Sequence, residues 1–219
     1  MLLTGQGDPL ESLFIGRPIE ENSNSPLTLT RAANWVKNCD EHPECYVGIH
    51  PLPARVVDIG SAAEDVVRLC ETDGQTGRYI TLSHCWGSAK HFVTTRALLE
   101  ARKSSIEYDE LPRTFQDAIV VTRALGVRYL WIDSLCICQD DRDDWDRESA
   151  KMHSIYHNSY LTIAATTAGN SSVGCLTTRK PTSFVHINHT SKTGERGQLL
   201  AFPLPVAKEA VKYRYISMD

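Results

Sequence analysis

Acids placed where apolar side chains belong are the first chemical signal in this chain. Residues 129–165, "YLWIDSLCICQDDRDDWDRESAKMHSIYHNSYLTIAA", read as strand, acidic turn, helix over roughly 144–157, and strand. With Asp144 as N-cap, Glu148 is at N4, one residue past the capping-box position, so capping does not explain it. At about 100° per residue, Trp145, Ser149, Met152, Ile155 and Tyr156 share one stripe, and Glu148 falls between Met152 and Ile155. Two readings stand. Glu148 sits at the rim, reaching water or pairing with Arg128 or Arg147, as a glutamate usually does. Or it is an acid in a crevice, where perturbed carboxylates do chemistry. Periodicity leaves both open.

A second acid, Asp133, ends the otherwise apolar strand expected over 129–137, next to Ser134. It is either a ligand contact at a strand end or a cap for the following loop. In "SHCWG", residues 83–87, His84 and Cys85 are adjacent and point to opposite faces of a strand, so they do not make a nucleophilic pair. Trp86 there is an aromatic wall at a crevice mouth or simply core. "CDEHPEC" places Cys39, His42 and Cys45 at C-x2-H-x2-C spacing, the start of a zinc site with Cys70 or His50 as a fourth ligand. It lacks a second C-x2-C half, and the alternative is a helix end with small buried thiols. The expectation is no bound metal.

The elements that must position these residues follow from pattern. "PLTLTRAANWVKNCDEH" reads as a helix with a stripe of Leu29, Ala32, Ala33 and Val36, and residues 66–84 as a hairpin with a long loop. "TTRALLEARKS" is helical, and "LPRTFQDAIVVTRALG" is a stronger helix, with Pro112 suited to its first turn and Gly126 to its C′ stop. "SFVHINHTSKTGERGQLLAF" reads as a hairpin. Strands near 79–84, 129–134 and 160–165 alternate with helices. This predicts an α/β fold with an open, mostly parallel sheet, whose ligand crevice lies beyond Ser83–Gly87, Asp133–Leu135 and Ala164–Thr166. Three regions are expected: a loose lead-in over 1–27, a domain over 28–180, and an extension over 181–219.

Composition narrows the function. The chain has 219 residues, 42% of them hydrophobic and 23% charged, with a net charge of −4. No basic face suggests nucleic acid, and no apolar run suggests a membrane span. The start lacks the pattern of a secretory signal, and the seven cysteines are expected as reduced thiols in a cytoplasmic protein, with Cys85, Cys136 and Cys138 buried.

"RYITLSHCWG", "LPRTFQDAI", "LGVRYLWIDSLCICQDDRDDW" and "ESAKMHSIYHNSYLTIAA" together resemble the HET (heterokaryon incompatibility) domain of filamentous fungi, and "HPEC…LPARVVDIG…VVRLCET" resembles its lead-in. The resemblance spans roughly residues 30–176. It implies a cell-death effector of nonself recognition, distantly similar to TIR domains, with a flavodoxin-like fold. Many TIR domains cleave NAD+ at the nicotinamide–ribose bond with a glutamate shortly after a Trp on a helix. Trp145 and Glu148 match that pair, three residues apart where TIR motifs usually have four. The resemblance thus implies Glu148 as the catalytic residue; beside it, Ser83, Asp133 and Ser134 are expected as polar substrate contacts from their place at the strand ends, and Trp86 or Trp145 as the side chain that stacks on a ring. NAD+ is the expected substrate, with no cofactor. Self-association or docking to a partner signalling domain is the competing, non-enzymatic role. Family segments usual after "GCLTTR" are not apparent.

Overall fold

The computed structural model describes residues 2–5, 7–14, 16–45, 48–60, 66–88, 91–180, 183–191 and 194–202. In chain order, its first elements are strand β1 (Leu2–Thr4), helix α1 (Pro26–Asp40), and strands β2 (His50–Pro51), β3 (Arg55–Asp58), β4 (Arg68–Glu71), β5 (Thr76–Gly77) and β6 (Tyr79–Ser83). Helices α2 (Arg96–Ser104) and α3 (Arg113–Ala124) come next, then β7 (Tyr129–Trp131), α4 (Asp133–Cys136), α5 (Arg142–Ser149), α6 (Met152–His157), β8 (Leu161–Ala164), β9 (Val185–Thr190) and β10 (Arg196–Ala201). The chain forms two compact units, residues 22–178 and residues 1–21 with 179–219. The family-like motifs all lie in the first. No helix among the described residues is long and apolar enough to cross a membrane.

The larger unit is built on a mixed five-stranded sheet in the order β4-β3-β7-β6-β8. β6 runs parallel to β7 on one side and to the edge strand β8 on the other. These are the three strands expected to be parallel and adjacent. Its Tyr79, Ile80, Thr81 and Leu82 are all buried, the near-continuous burial of a strand covered on both faces. Ile80, Leu82, Leu130, Trp131 and Ile132 share one apolar cluster with Phe115, Ala118 and Ile119 of α3. Each of the leucine, isoleucine and phenylalanine side chains contributes about 1.5–3 kcal/mol by leaving water. α3 buries Phe115, Ala118, Ile119 and Thr122, one helical stripe, and Gly126 at φ +70 takes the left-handed position that stops it.

Several expectations are corrected. The sheet is only half parallel, because β3 lies antiparallel to both β4 and β7. β4 does not form a hairpin with β6; it pairs with β3, Val56 opposite Cys70 and Val57 opposite Leu69. Both edges of β6 are already taken, and β5 diverts the intervening chain onto β2. β7 stops at Trp131, because the Asp133 carboxylate accepts the Ser134 N–H at 2.7 Å and turns the chain into α4. α1 is a helix as expected, capped by Ser25 through the Thr28 N–H at 3.1 Å. Its stripe of Leu29, Ala32, Ala33 and Val36 is its half-buried face, but no residue of the helix is fully buried, and Trp35 is 64% exposed. Caps, rather than burial, define this helix.

The helix expected over 144–157 is two helices with a break at Ala150–Lys151, and its cap is Asp141, which accepts the Asp144 N–H at 3.2 Å. The wheel drawn across the break still puts Glu148 and Ile155 inward, as found, but fails at Trp145. The buried residues of α5 are Asp144 and Glu148, whereas Trp145 is 48% exposed. Carboxylates can face inward here because cations meet them. The Asp144 carboxylate accepts from the guanidinium of Arg55, itself buried on β3, from Arg147, and from the Cys138 N–H at 2.8 Å. Arg55 Nε also donates to the Cys136 carbonyl at 2.8 Å.

The smaller unit holds a three-stranded antiparallel sheet, β1-β10-β9. The expected tail hairpin is present, with Leu199 opposite Ile187. The lead-in is not merely loose chain: β1 pairs with β10 and buries Leu3 and Thr4. Residues 203–219, including the terminal "YISMD", lie outside the described residues.

The buried Arg55–Asp144 pair gives a test. Asp144→Ala strands a buried guanidinium and should cost about 3–5 kcal/mol, read as a lower urea midpoint at unchanged slope. The double change Arg55→Met with Asp144→Leu should cost much less than the sum of the single changes, because no unpaired charge remains. Additive losses would show that the pair is not a unit.

Candidate functional site

The parallel strands β7, β6 and β8 end at Trp131, Ser83 and Ala164, and the chain just beyond two of these ends brings polar groups together. Trp86 Nε1 donates to Asp133 Oδ2 at 3.0 Å, while the Ser134 N–H holds the other carboxylate oxygen. His84 lies beside them, its ring nearly coplanar in orientation with Trp86 (14° at 6.4 Å between centroids) and edge-on to Phe115 at 5.0 Å. His91 meets Trp86 at 5.3 Å. Two polar atoms in this cluster, His84 Nδ1 and Ser134 Oγ, are buried and have no hydrogen-bond partner among the described residues. Such atoms are uncommon in folded proteins, and each needs a reason.

The turn that carries Trp86 depends on one glycine. Gly87 has φ +79, and a Cβ there would lie 2.4 Å from Asn170 Cβ. A larger residue would push the indole's segment away from residue 170 as well as strain the backbone.

Electrostatics match the geometry. Burial raises the Asp133 pKa above the ordinary carboxylate value, against the opposing pull of His84 and the two N–H donors. Burial also lowers the His84 pKa, partly countered by the Asp133 charge. The Tyr156 hydroxyl, pushed up to about 12 by burial with the Asp133 charge adding to it, donates to the Leu82 carbonyl at 3.2 Å. A carboxylate, a neutral imidazole and an indole in a poorly hydrated setting can hold hydroxyls, stack on a flat ring and stabilise a developing positive charge.

Of the residues singled out from sequence, Trp86, Asp133 and Ser134 come together, with Ser83 exposed at the end of β6 beside them in the chain. Glu148 and Trp145 make their described contacts with other residues. The Glu148 carboxylate is buried, 3% exposed for the residue, and accepts from Arg147 Nε and Lys151 Nζ, each at 3.1 Å. It does not reach bulk solvent, and among the described contacts none joins it to Asp133 or Trp86. Trp145 lines a separate depression of about 430 Å³ with Gln139, Asp140, Arg142 and Asp146. Cys85 is exposed rather than buried, because β6 has already ended at Ser83; Cys136 and Cys138 are buried, their thiols pushed up to about 12 and about 11 by burial. His84 and Tyr156 were missed as site residues. The signal for His84 was its spacing of two from Trp86, which in extended chain puts both rings on one side.

The family model described as "Heterokaryon incompatibility protein (HET)" matches residues 79–213, a range that contains every residue of this cluster. No curated protein and no solved structure matches.

Protonation of His84 offers the test. Its pKa is below the ordinary 6.5, so between the two values the unfolded chain binds a proton that the folded chain does not. Folding stability from this group is intact above 6.5 and is lost as pH falls from there to the folded value. The His84 imidazole resonance should titrate below 6.5, and Asp133→Asn should move the midpoint lower again by removing the attracting charge. A midpoint at or above the ordinary value would contradict the buried setting.

Proposed function

The chain belongs to the heterokaryon incompatibility (HET) family, and from that premise we propose that it is an effector of incompatibility cell death that cleaves the nicotinamide–ribose bond of NAD+. The three parallel strands with their helical connections support a TIR-like, flavodoxin-like kinship. The observation that carries the chemistry is Asp133, a desolvated carboxylate held by Trp86 beside two polar atoms that have no partner. Cleavage passes through an oxocarbenium-like ribosyl cation, as in glycoside hydrolysis. In this reading Asp133 faces the cation, Trp86 stacks on a ring, and His84 Nδ1 and Ser134 Oγ take the ribose hydroxyls.

The resemblance puts the catalytic carboxylate at Glu148 instead. For that, Arg147 and Lys151 must release it, and both are half-exposed, so they can swing into water. A non-enzymatic, self-associating role draws on a different observation, the unburied α1 face with Trp35 exposed.

Nicotinamide release, measured with protein concentrated enough to self-associate, separates these readings. Wild type should turn over NAD+, and Asp133→Asn should lower the rate by about 10²–10³. Glu148→Gln should lose one charged hydrogen-bond set, about 1–3 kcal/mol of stability, and keep most of the turnover. Loss in Glu148→Gln alone would return catalysis to that residue. No turnover in an assembled wild type would leave the self-association role.

A further inference from the structure

We propose that Cys39, His42 and Cys45 form a three-ligand site for a zinc ion at the C-terminal end of α1. This is independent of the NAD+ reading and departs from the expectation of no metal. The reason lies in the backbone. The His42 N–H donates to the Cys39 carbonyl at 3.1 Å, and the Cys45 N–H to the His42 carbonyl at 3.0 Å, so the chain leaves α1 through successive three-residue turns. Residues 43–45 are a 3-10 turn. In such turns, side chains three apart eclipse one another, so C-x2-H-x2-C spacing brings all three ligands to the same side. The spacing that by itself reads as the start of a zinc site is here a three-ligand set on one side of the chain.

The distances agree. One ligand atom from each residue lies within 4.8 Å of the others, and Cys45 Sγ is 4.0 Å from His42 Nδ1. Around a tetrahedral zinc, with bonds of about 2.3 Å to sulfur and 2.0 Å to nitrogen, neighbouring ligand atoms are roughly 3.5–3.8 Å apart. Small rotamer changes close the difference. All three residues are exposed, so a water or other small ligand can take the fourth position. Binding releases the two thiol protons to solvent as the thiolates coordinate.

The site also answers a structural need. α1 has no buried residue, so little apolar packing holds it. At its end, Asp40 accepts from the Tyr160 hydroxyl at 2.9 Å and from Arg78 at 3.2 Å. A metal held by Cys39, one residue before Asp40, and His42, two residues after it, would lock the helix end in the geometry that makes those two contacts.

Cobalt(II) titration of the reduced, metal-free full chain tests this. One equivalent should give tetrahedral d–d bands with a thiolate charge-transfer band, and one equivalent of zinc should bleach them. Cys39→Ser, His42→Ala and Cys45→Ser should each weaken binding by at least about tenfold. Cys70→Ser, outside the cluster, should not. These variants should fold, since α1 contributes nothing to the core, and circular dichroism checks that. Zinc should also slow amide exchange at residues 38–45 in wild type and not in Cys45→Ser. Absence of the cobalt spectrum, binding that survives Cys45→Ser, or a Cys39–Cys45 disulfide that forms in place of metal uptake would each overturn the proposal.

Discussion

The larger unit depends on a buried ion pair more than on any single apolar contact. Arg55 projects from β3 and Asp144 from the first turn of α5, and both are almost fully buried. Two charges taken from water cost more than their attraction returns unless their remaining valences are filled. Here they are: Arg55 donates also to the Cys136 carbonyl, and Asp144 accepts also from Arg147 and the Cys138 N–H. The pair therefore ties β3, the end of α4 and the start of α5 into one arrangement. α4 is a single turn beginning at Asp133, so fixing its last residue also fixes the carboxylate at its first. The candidate site inherits its precision from a salt bridge it does not contain.

That same pair explains where local pattern was legible and where it was not. α3 could be read directly, because its burial stripe, Pro112 and Gly126 are all local signals. So could the three parallel strands and the β9–β10 hairpin. The inner face of α5 could not. A helical wheel assumes that apolar residues turn inward, yet α5 turns Asp144 and Glu148 inward and leaves Trp145 half in water. Asp144 turns inward because of Arg55, 89 residues earlier in the chain, which no window on the helix can see, whereas Glu148 is met by its sequence neighbours Arg147 and Lys151. β4 failed for a related reason: its partner was decided by which edges of β6 were already occupied, a property of the whole sheet.

The site itself was half legible. Strand-end position pointed to Asp133, Ser134 and Trp86, because the crevice of a parallel sheet lies there whatever the sequence. Their association with His84 was obscured by its neighbour. Paired with Cys85, His84 looks like a failed nucleophilic dyad, whereas paired with Trp86 it is one wall of a cluster. The turn at Gly87 then brings that wall against residue 170, a contact no spacing rule contains.

Two carboxylates, the buried Glu148 and the half-buried Asp133, are candidates, and their surroundings differ in kind. Glu148 has cations on hand, and the charge it carries is already answered by Arg147 and Lys151. Such a group holds a helix in place but projects little field toward a ligand, since the neighbouring positive charges cancel it at short range. Asp133 is met by neutral N–H donors, from Trp86 and the Ser134 backbone, which orient the carboxylate without neutralising it. Burial makes that charge costly to the fold, as its raised pKa records. Beside it, His84 Nδ1 and Ser134 Oγ add a further cost by lacking partners. A ligand offering hydroxyls and a positive centre relieves all three at once. The unsatisfied polar atoms, rather than the acid alone, distinguish this cluster from the structural ion pairs of α5.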